Sequence, residues 1–275
     1  MARAVGGVFL IRIEDIDRTR CDPTFEAAAL ADLDRLGIVS DGPIRRQSEH
    51  MADYAAALER LKAMGLAYPA FLSRAEIKRA VEARERDGCR WPRDPDGVPL
   101  YIGNEREMTA DAAAMRMARG DQTIWRLHMD RAIDRVGPLS WCESGGGDPN
   151  GDTDRAALAG RRIFRTVAAD PAAWGDVILA RADVPTSYHL SVVVDDALQG
   201  VTDVVRGADL FTATAVHRLL QTLLGLPEPR YHHHALVRDE GGRKLAKSDG
   251  DAGLGLLLDQ GASRADIMRG GGLVS

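Results

Sequence analysis

A short apolar run near the amino terminus ends abruptly in a cluster of charges, and this pattern constrains the fold more than any other in the chain. Residues 8–11 read Val-Phe-Leu-Ile, and Arg, Glu and Asp dominate residues 12–20. An apolar run that ends in charge is typical of a buried parallel strand. Ligands of open α/β sheets bind outside the carboxyl ends of such strands, so Glu14 is predicted to point toward a ligand. A strand exit carrying solvated charge is the alternative.

The rest of the chain alternates between helix and strand signals, which predicts an α/β fold. Asp22-Pro23 and the Ser-Arg-Ala-Glu segment at 73–76 have the features of helix N-caps. A strand is predicted at 176–181, and another, resuming at Tyr231, carries three consecutive histidines. Side chains alternate along a strand, so these three rings cannot all reach one metal ion. The glycine-rich stretch 143–154 is predicted to be a polar loop.

Two β-branched segments flank a short turn after Asp195-Asp196 and are predicted to be neighbouring strands. Tyr188 opens the first of these strands. Arg206 lies where the second strand ends and a helix over 209–224 begins. The apolar residues predicted to face inward on that helix are Val216, Leu219, Leu220, Leu223 and Leu224. An arginine at this strand end can hold a carboxylate through a bidentate fork. A surface ion pair, the commoner role of an arginine, is the alternative.

Lysine is rare in this chain, and two of the four lysines lie close together. They occur in the segment Arg-Lys-Leu-Ala-Lys-Ser at 243–248, where Lys244 and Lys247 are followed by the hydroxyl of Ser248. A site that uses lysine in an arginine-rich protein favours a compact, mobile point charge, for which phosphate is a suitable ligand. A solvated turn would explain the segment taken alone.

The composition is that of a globular protein and agrees with a cytosolic enzyme. A chain of 275 residues with 45% hydrophobic content can bury one large or two modest cores. The longest apolar runs fall well short of the roughly 20 residues of a membrane span, and the first residues lack the pattern of a signal peptide. Three isolated cysteines are typical of reduced thiols. These features predict a cytoplasmic protein without a membrane partner.

Five segments, taken in order, resemble class I aminoacyl-tRNA synthetases of the glutamate group. They are the RIEDID segment from residue 12, RQSEH from 46, IWRL from 124, the block 186–209 and KLAKS at 244–248. KLAKS stands where this family carries its "KMSKS"-type loop, with Ala246 in place of the usual serine. The resemblance implies a Rossmann-like α/β catalytic domain with a small α-rich insertion. It is strongest to the shortened branch, which transfers glutamate to the queuosine base of tRNA(Asp).

The resemblance also implies roles for six matching residues. Those for L-glutamate are Glu14, Tyr188 and Arg206, and those for ATP are Lys244, Lys247 and Ser248. A glutamate ammonium would meet Glu14 and a carboxylate would meet Arg206, so opposite charges match. Activation joins the substrate α-carboxylate to the α-phosphorus of ATP and releases pyrophosphate. Lys247 and Mg²⁺ would stabilise the phosphate charge, and no protein nucleophile is needed.

Two departures from the family pattern carry expectations of their own. Family members begin with a strand, a loop and a helix bearing "HIGH"-type histidines, which Met1–Gly7 is too short to supply. We therefore expect an amino-terminally truncated domain that is poorly soluble or inactive as it stands. Relatives also carry zinc-binding cysteines where this chain has Ala70, Leu72 and Glu105, with Tyr101 retained. Because alanine and leucine offer no ligand, no zinc is expected.

These observations predict a catalytic domain in two halves, 1–66 and 128–275, separated by an insertion at 67–127 that resembles an acceptor-binding subdomain with a degenerate zinc site. No anticodon-binding domain is expected to follow. The predicted protein is a monomer that uses ATP and Mg²⁺ to attach L-glutamate to queuosine-containing tRNA(Asp). Two alternatives stay open: a fragment of an ordinary glutamyl-tRNA synthetase, and a non-catalytic paralogue that binds amino acid or tRNA.

Overall fold

The computed structural model divides into two compact units. The first joins residues 1–50 with 235–275, and the second comprises 51–234. The residues that the structure describes are 2–17, 21–86, 88–145, 164–238 and 253–270.

Helices and strands alternate along the described residues, which confirms the predicted α/β class. The helices α1 to α9 are, in chain order, Pro23–Arg35, Met51–Ala63, Arg74–Arg86, Ala110–Ala118, Met129–Val136, Tyr188–Leu198, Thr214–Leu223, Leu254–Asp259 and Arg264–Gly270. The strands β1 to β9 are Arg12–Ile13, Arg45–Arg46, Ala67–Ala70, Ile124–Leu127, Ser140–Glu143, Arg165–Ala168, Ile178–Arg181, Asp203–Gly207 and Arg230–His234.

In the first unit, β1 and β2 form a short parallel pair. The predicted strand at 8–11 is wrong, because β1 begins after it and the side chain of Val8 is 70% exposed. The backbone N–H of Phe9 donates to the Asp41 carboxylate over 2.7 Å, and that of Ile11 donates to the Ser40 hydroxyl over 3.1 Å. These loop side chains satisfy backbone groups that a neighbouring strand would otherwise have to satisfy.

The two predicted N-caps are confirmed. The Asp22 carboxylate accepts the backbone N–H of Thr24 over 2.8 Å at the start of α1. At the start of α3, the Ser73 N–H donates to the Glu76 carboxylate over 2.8 Å, and the Glu76 N–H donates to the Ser73 hydroxyl over 3.3 Å. Such caps each stabilise a helix by about 1 kcal/mol.

The second unit contains two sheets formed by described residues. A three-stranded antiparallel sheet has the order β3-β4-β7, and its strand β7 confirms the strand predicted at 176–181. A four-stranded sheet has the order β6-β5-β9-β8. In this second sheet β9 runs parallel to both β5 and β8, and β6 is an antiparallel edge strand.

The segment predicted as a strand from Tyr188 is the helix α6. Ser187 caps it by accepting the N–H of Leu190 over 3.4 Å. Residues 190–196 are buried without a break, and Val192, Val193 and Val194 belong to the main core. A short apolar run that is buried on all sides has no diagnostic period, so burial and the cap outweighed the β-propensity of three valines.

Strand β8, helix α7 and strand β9 form a βαβ unit, the arrangement that joins two neighbouring parallel strands. Helix α7 begins at Thr214, later than the predicted 209, after a 3₁₀ turn at Ala208–Leu210. The predicted inward residues are buried in the main core, namely Val216, Leu219, Leu220, Leu223 and Leu224. Each contributes roughly 1.5–3 kcal/mol by burial.

Candidate active site

Three adjacent strands, β5, β9 and β8, run parallel, so their carboxyl ends point toward the same edge of the four-stranded sheet. Gly207 of β8 pairs with His234 of β9 at that edge, and Glu143, the last residue of β5, pairs with Tyr231. The register of β8 and β9 pairs Arg206 with His233, so the two side chains leave the sheet on the same face. The carboxyl edge of parallel strands is where α/β sheets bind ligands.

The half-buried guanidinium of Arg206 donates four hydrogen bonds. Nε donates to Nε2 of His233 over 3.0 Å, and Nη1 donates to Nδ1 of His217 over 2.9 Å. Nη2 donates to the Thr214 hydroxyl over 2.7 Å and to the Leu210 carbonyl over 3.2 Å. An arginine has five N–H groups, and no described residue accepts the fifth, which is on Nη1. This arrangement therefore leaves one N–H for a ligand, whereas the predicted bidentate fork would need two.

The four acceptors around Arg206 are uncharged. Arginine only donates, so the histidine nitrogens that face it, Nε2 of His233 and Nδ1 of His217, are unprotonated. Among the described residues, no carboxylate forms an ion pair with Arg206. Within the described part of the chain, the guanidinium is therefore oriented by uncharged groups alone, which favours a carboxylate ligand.

Behind His233 lies the carboxylate of Glu143, and both side chains are 0% exposed. Nδ1 of His233 lies 2.6 Å from Oε2 of Glu143, and Trp141 donates to the same oxygen over 3.2 Å. Oε1 accepts the backbone N–H groups of His233 over 3.0 Å and of Gly145 over 2.7 Å. A side chain at Gly145 would overlap the His233 backbone. The predicted loop at 143–154 is therefore wrong at its start, where Glu143, Ser144 and Gly145 are buried.

On its other side, Arg206 is linked to the first turn of α6. Nε2 of His217 lies 3.1 Å from Nδ1 of His189. The rings of His189 and His217 pack edge-on against Tyr188, with centroids 5.7 and 5.6 Å away. Tyr188 and Arg206, both predicted to bind the substrate, are thus brought to the same histidine, His217.

The pKa values of the side chains that are hydrogen-bonded in series around Arg206 follow from burial and hydrogen bonding. Burial opposes ionisation of Glu143, but the hydrogen bonds from His233 and Gly145 outweigh it and lower the pKa to about 2. Burial lowers the pKa of His233, with the nearby Arg206 charge acting in the same direction and Glu143 opposing. Burial and then the Arg206 charge lower the pKa of His189 to about 4. At neutral pH this hydrogen-bonded series of side chains consists of one carboxylate, three neutral imidazoles and one guanidinium cation.

Glu14 belongs to the first unit, where it is exposed just after β1 and accepts a bond from Nη2 of Arg12 over 3.3 Å. Lys244, Lys247 and Ser248 lie outside the described residues.

No local pattern in the sequence identified the groups around Arg206. His217 and Thr214, which accept from Arg206, and His189, which contacts His217, stand in segments without a functional motif of their own. The alternation of the three histidines along β9 was predicted, and it places His233 inward and His234 outward. A carboxylate that ends the segment Ser-Trp-Cys-Glu, one residue before three glycines, was the available hint for Glu143.

At the position where relatives carry cysteines, the described residues form hydrogen bonds. The Tyr101 hydroxyl donates to Oε2 of the buried Glu105 over 2.8 Å, and the Phe71 N–H donates to Oε1 over 3.3 Å. The guanidinium of Arg126 lies 3.9 Å above the Tyr101 ring. Among the described residues, no group of three His, Cys, Asp or Glu side chains is arranged to hold a metal ion. The absence of zinc stays a prediction.

Comparison with known proteins gives the context for this arrangement. The family model described as "tRNA synthetases class I (E and Q), catalytic domain" matches residues 1–136 and 160–272. A glutamyl-Q tRNA(Asp) synthetase of Rhodobacter capsulatus is 45% identical over 98% of this chain and 89% of its own length. One from Thiobacillus denitrificans is 40% identical over 90% of this chain and 68% of its own length.

Solved structures show the same fold. A glutamate tRNA ligase from Elizabethkingia meningosepticum matches with a TM-score of 0.68 and 24% identity over 91% of this chain. The chain spans about half of that ligase, 47% of its length. No helix in the described part of the chain is long and apolar enough to cross a membrane. The chain belongs to the class I aminoacyl-tRNA synthetases of the glutamate and glutamine group, by its catalytic domain, and is a ligase of that kind.

Proposed function

We propose that this protein activates L-glutamate with ATP and transfers it to the queuosine base of tRNA(Asp). The observation that carries the proposal is the guanidinium of Arg206, which uncharged acceptors orient while leaving its charge for an anionic ligand. The names of relatives at 40% and 45% identity support the choice of glutamate and of tRNA(Asp).

In the proposed reaction, Arg206 holds a substrate carboxylate by its charge and by one N–H. Tyr188 flanks the same site, and Glu14 receives the substrate ammonium. Lys244, Lys247 and Ser248 hold the ATP phosphates, an assignment that rests on the sequence alone. Mg²⁺, when bound, supplies charge to the phosphates. The α-carboxylate forms a bond to the α-phosphorus as pyrophosphate leaves, and transfer to the tRNA then releases AMP.

We also propose the overall organisation from the sequence. Residues 1–66 and 128–275 form the two halves of the catalytic domain, and 67–127 form the insertion. The protein acts as a monomer in the cytoplasm. Light scattering coupled to size exclusion checks the monomer, because a dimer would have twice the 29.8 kDa of the chain.

Two assays test the proposed reaction. Exchange of labelled pyrophosphate into ATP should occur with L-glutamate and not with L-aspartate or L-glutamine, because glutamine lacks the side-chain charge and aspartate is one methylene shorter. Labelled glutamate should then be transferred to tRNA(Asp) that contains queuosine and not to the same tRNA without it. Transfer to tRNA(Glu) instead would favour an ordinary glutamate–tRNA ligase. Glutamate binding without any exchange would favour a non-catalytic protein and overturn the proposal.

A further inference from the structure

We propose that Glu143 is a positioning residue of the amino-acid site, acting on Arg206 through the ring of His233. This inference rests on the proposed function, in which Arg206 holds the substrate carboxylate. Glu143 itself does not contact Arg206. It determines which nitrogen of His233 carries the proton, and so whether His233 can accept a hydrogen bond from Arg206.

The first step of the argument is that the Glu143 carboxylate cannot turn. Its Oε1 accepts two backbone N–H groups, from His233 and Gly145, and its Oε2 accepts the Trp141 indole. Ionised carboxylates only accept hydrogen bonds, so the fourth contact, with Nδ1 of His233 at 2.6 Å, requires a proton on Nδ1.

The second step follows from the neutral imidazole, which has one protonated nitrogen. With the proton on Nδ1, the Nε2 lone pair of His233 faces Nε of Arg206 at 3.0 Å. The paired register of β8 and β9 keeps the two side chains on the same face. The negative charge of Glu143 is thereby separated from the guanidinium by a full imidazole ring. Arg206 is oriented by a carboxylate that does not form an ion pair with it.

A glutamine at position 143 would reverse this arrangement without changing its shape. Its amide oxygen would stay with the two backbone N–H groups, so its NH₂ group would face Nδ1 of His233, and the Trp141 indole N–H would lose its acceptor. Nδ1 would then accept, and His233 would carry its proton on Nε2, against the Nε–H of Arg206. Two donors would face each other, and Arg206 would lose this contact.

The test measures L-glutamate binding by calorimetry, together with nitrogen-15 spectra of the histidine rings, in the full chain. Glu143→Gln should weaken binding roughly 10–100-fold, the range for a hydrogen bond to a charged group. The spectra should show the proton of His233 moving from Nδ1 to Nε2. Glu105→Gln is the matched control, since Glu105 is also buried and also accepts a backbone N–H in the same unit. It should leave glutamate affinity unchanged even if it lowers stability.

The outcomes separate the inference from the proposed function. If Arg206→Ala abolishes glutamate binding but Glu143→Gln binds like the wild type, the inference is wrong and the proposed function stands. If Arg206→Ala binds like the wild type, the role of Arg206 is wrong and the inference fails with it.

If Glu143→Gln does not fold, a second pair of variants tests whether His233 must accept a hydrogen bond from Arg206. In His233→Gln the side-chain oxygen can reach the place of Nε2 and accept from Arg206, whereas in His233→Asn it reaches only the place of Nδ1. Glutamate affinity should stay within about fivefold of the wild type in the first and fall at least about tenfold in the second. Equal affinities of the two variants would overturn the inference.

Discussion

His217 accepts a hydrogen bond from Arg206 on Nδ1, over 2.9 Å, and therefore presents a protonated Nε2 to Nδ1 of His189, 3.1 Å away. Because arginine only donates, Arg206 sets the direction of both hydrogen bonds on this side, its own to His217 and that of His217 to His189. A proton added to Nδ1 of His189 would face the N–H of His217. Both geometry and burial thus keep His189 neutral in the folded protein.

This arrangement predicts a loss of stability in mild acid. The pKa of His189 is about 4 in the folded protein, below its ordinary value of 6.5. Between these values the unfolded chain binds a proton that the folded chain does not. The free energy of unfolding should therefore fall as pH falls from 6.5 to 4, by about 1.4 kcal/mol per pH unit from this group.

Urea denaturation at pH 7, 6, 5 and 4 measures this dependence. His189→Asn does not titrate but keeps an acceptor for His217, so its curve should be flatter than that of the wild type by roughly 3 kcal/mol over the window. Parallel curves for the two proteins would show that His189 is protonated in the folded state.

Arg206→Lys should weaken L-glutamate binding roughly 10–100-fold, as expected for loss of hydrogen bonds to a charged group. A single ammonium cannot reach His233, His217 and Thr214 together and still face a substrate carboxylate. Calorimetry with L-glutamate measures the effect. Arg230→Lys is the control, because Arg230 lies in β9 and forms an exposed ion pair with Asp203 at 2.7 Å. A lysine at 206 with near-normal affinity would exclude a role for the guanidinium geometry.

Thr214→Val and Thr214→Ser test the third acceptor of Arg206. The Thr214 hydroxyl lies 2.7 Å from Nη2, and the side chain is fully buried at the start of α7. Valine has nearly the same shape but leaves this N–H without its acceptor, so glutamate should bind about tenfold more weakly. Serine keeps the hydroxyl and should bind within a few-fold of the wild type. If valine and serine give the same affinity, Thr214 does not orient Arg206.

The pair Tyr101 and Glu105 predicts a protein that is stable without zinc. Elemental analysis should find far less than one zinc per chain, and a chelator should leave the free energy of unfolding unchanged. Tyr101→Phe should lower that free energy by about 1–3 kcal/mol, because the buried Glu105 loses a donor. Stoichiometric zinc in the purified protein would show that other residues of the chain form a metal site.

Local patterns in the sequence predicted the elements whose signals are short-range. The caps at Asp22 and Ser73 were predicted because a cap bonds only to residues within one turn. The inward face of α7 was predicted from its period, and the alternation of the histidines from the geometry of any strand. Motif order identified the family, and the comparisons confirmed it.

Tertiary structure decided what depends on contacts between distant residues. The three valines of α6 form a helix because they are buried on all sides, and a buried run has no period that distinguishes helix from strand. Arg206 could be predicted as a ligand-binding residue from its place at a strand end. Its four acceptors come from β9, α7 and the turn before α7, and the Glu143 that orients one of them is 90 residues away from His233. Only the pairing of β5, β9 and β8 brings these groups together, because hydrogen-bond partners across a sheet are set by register and not by spacing along the chain.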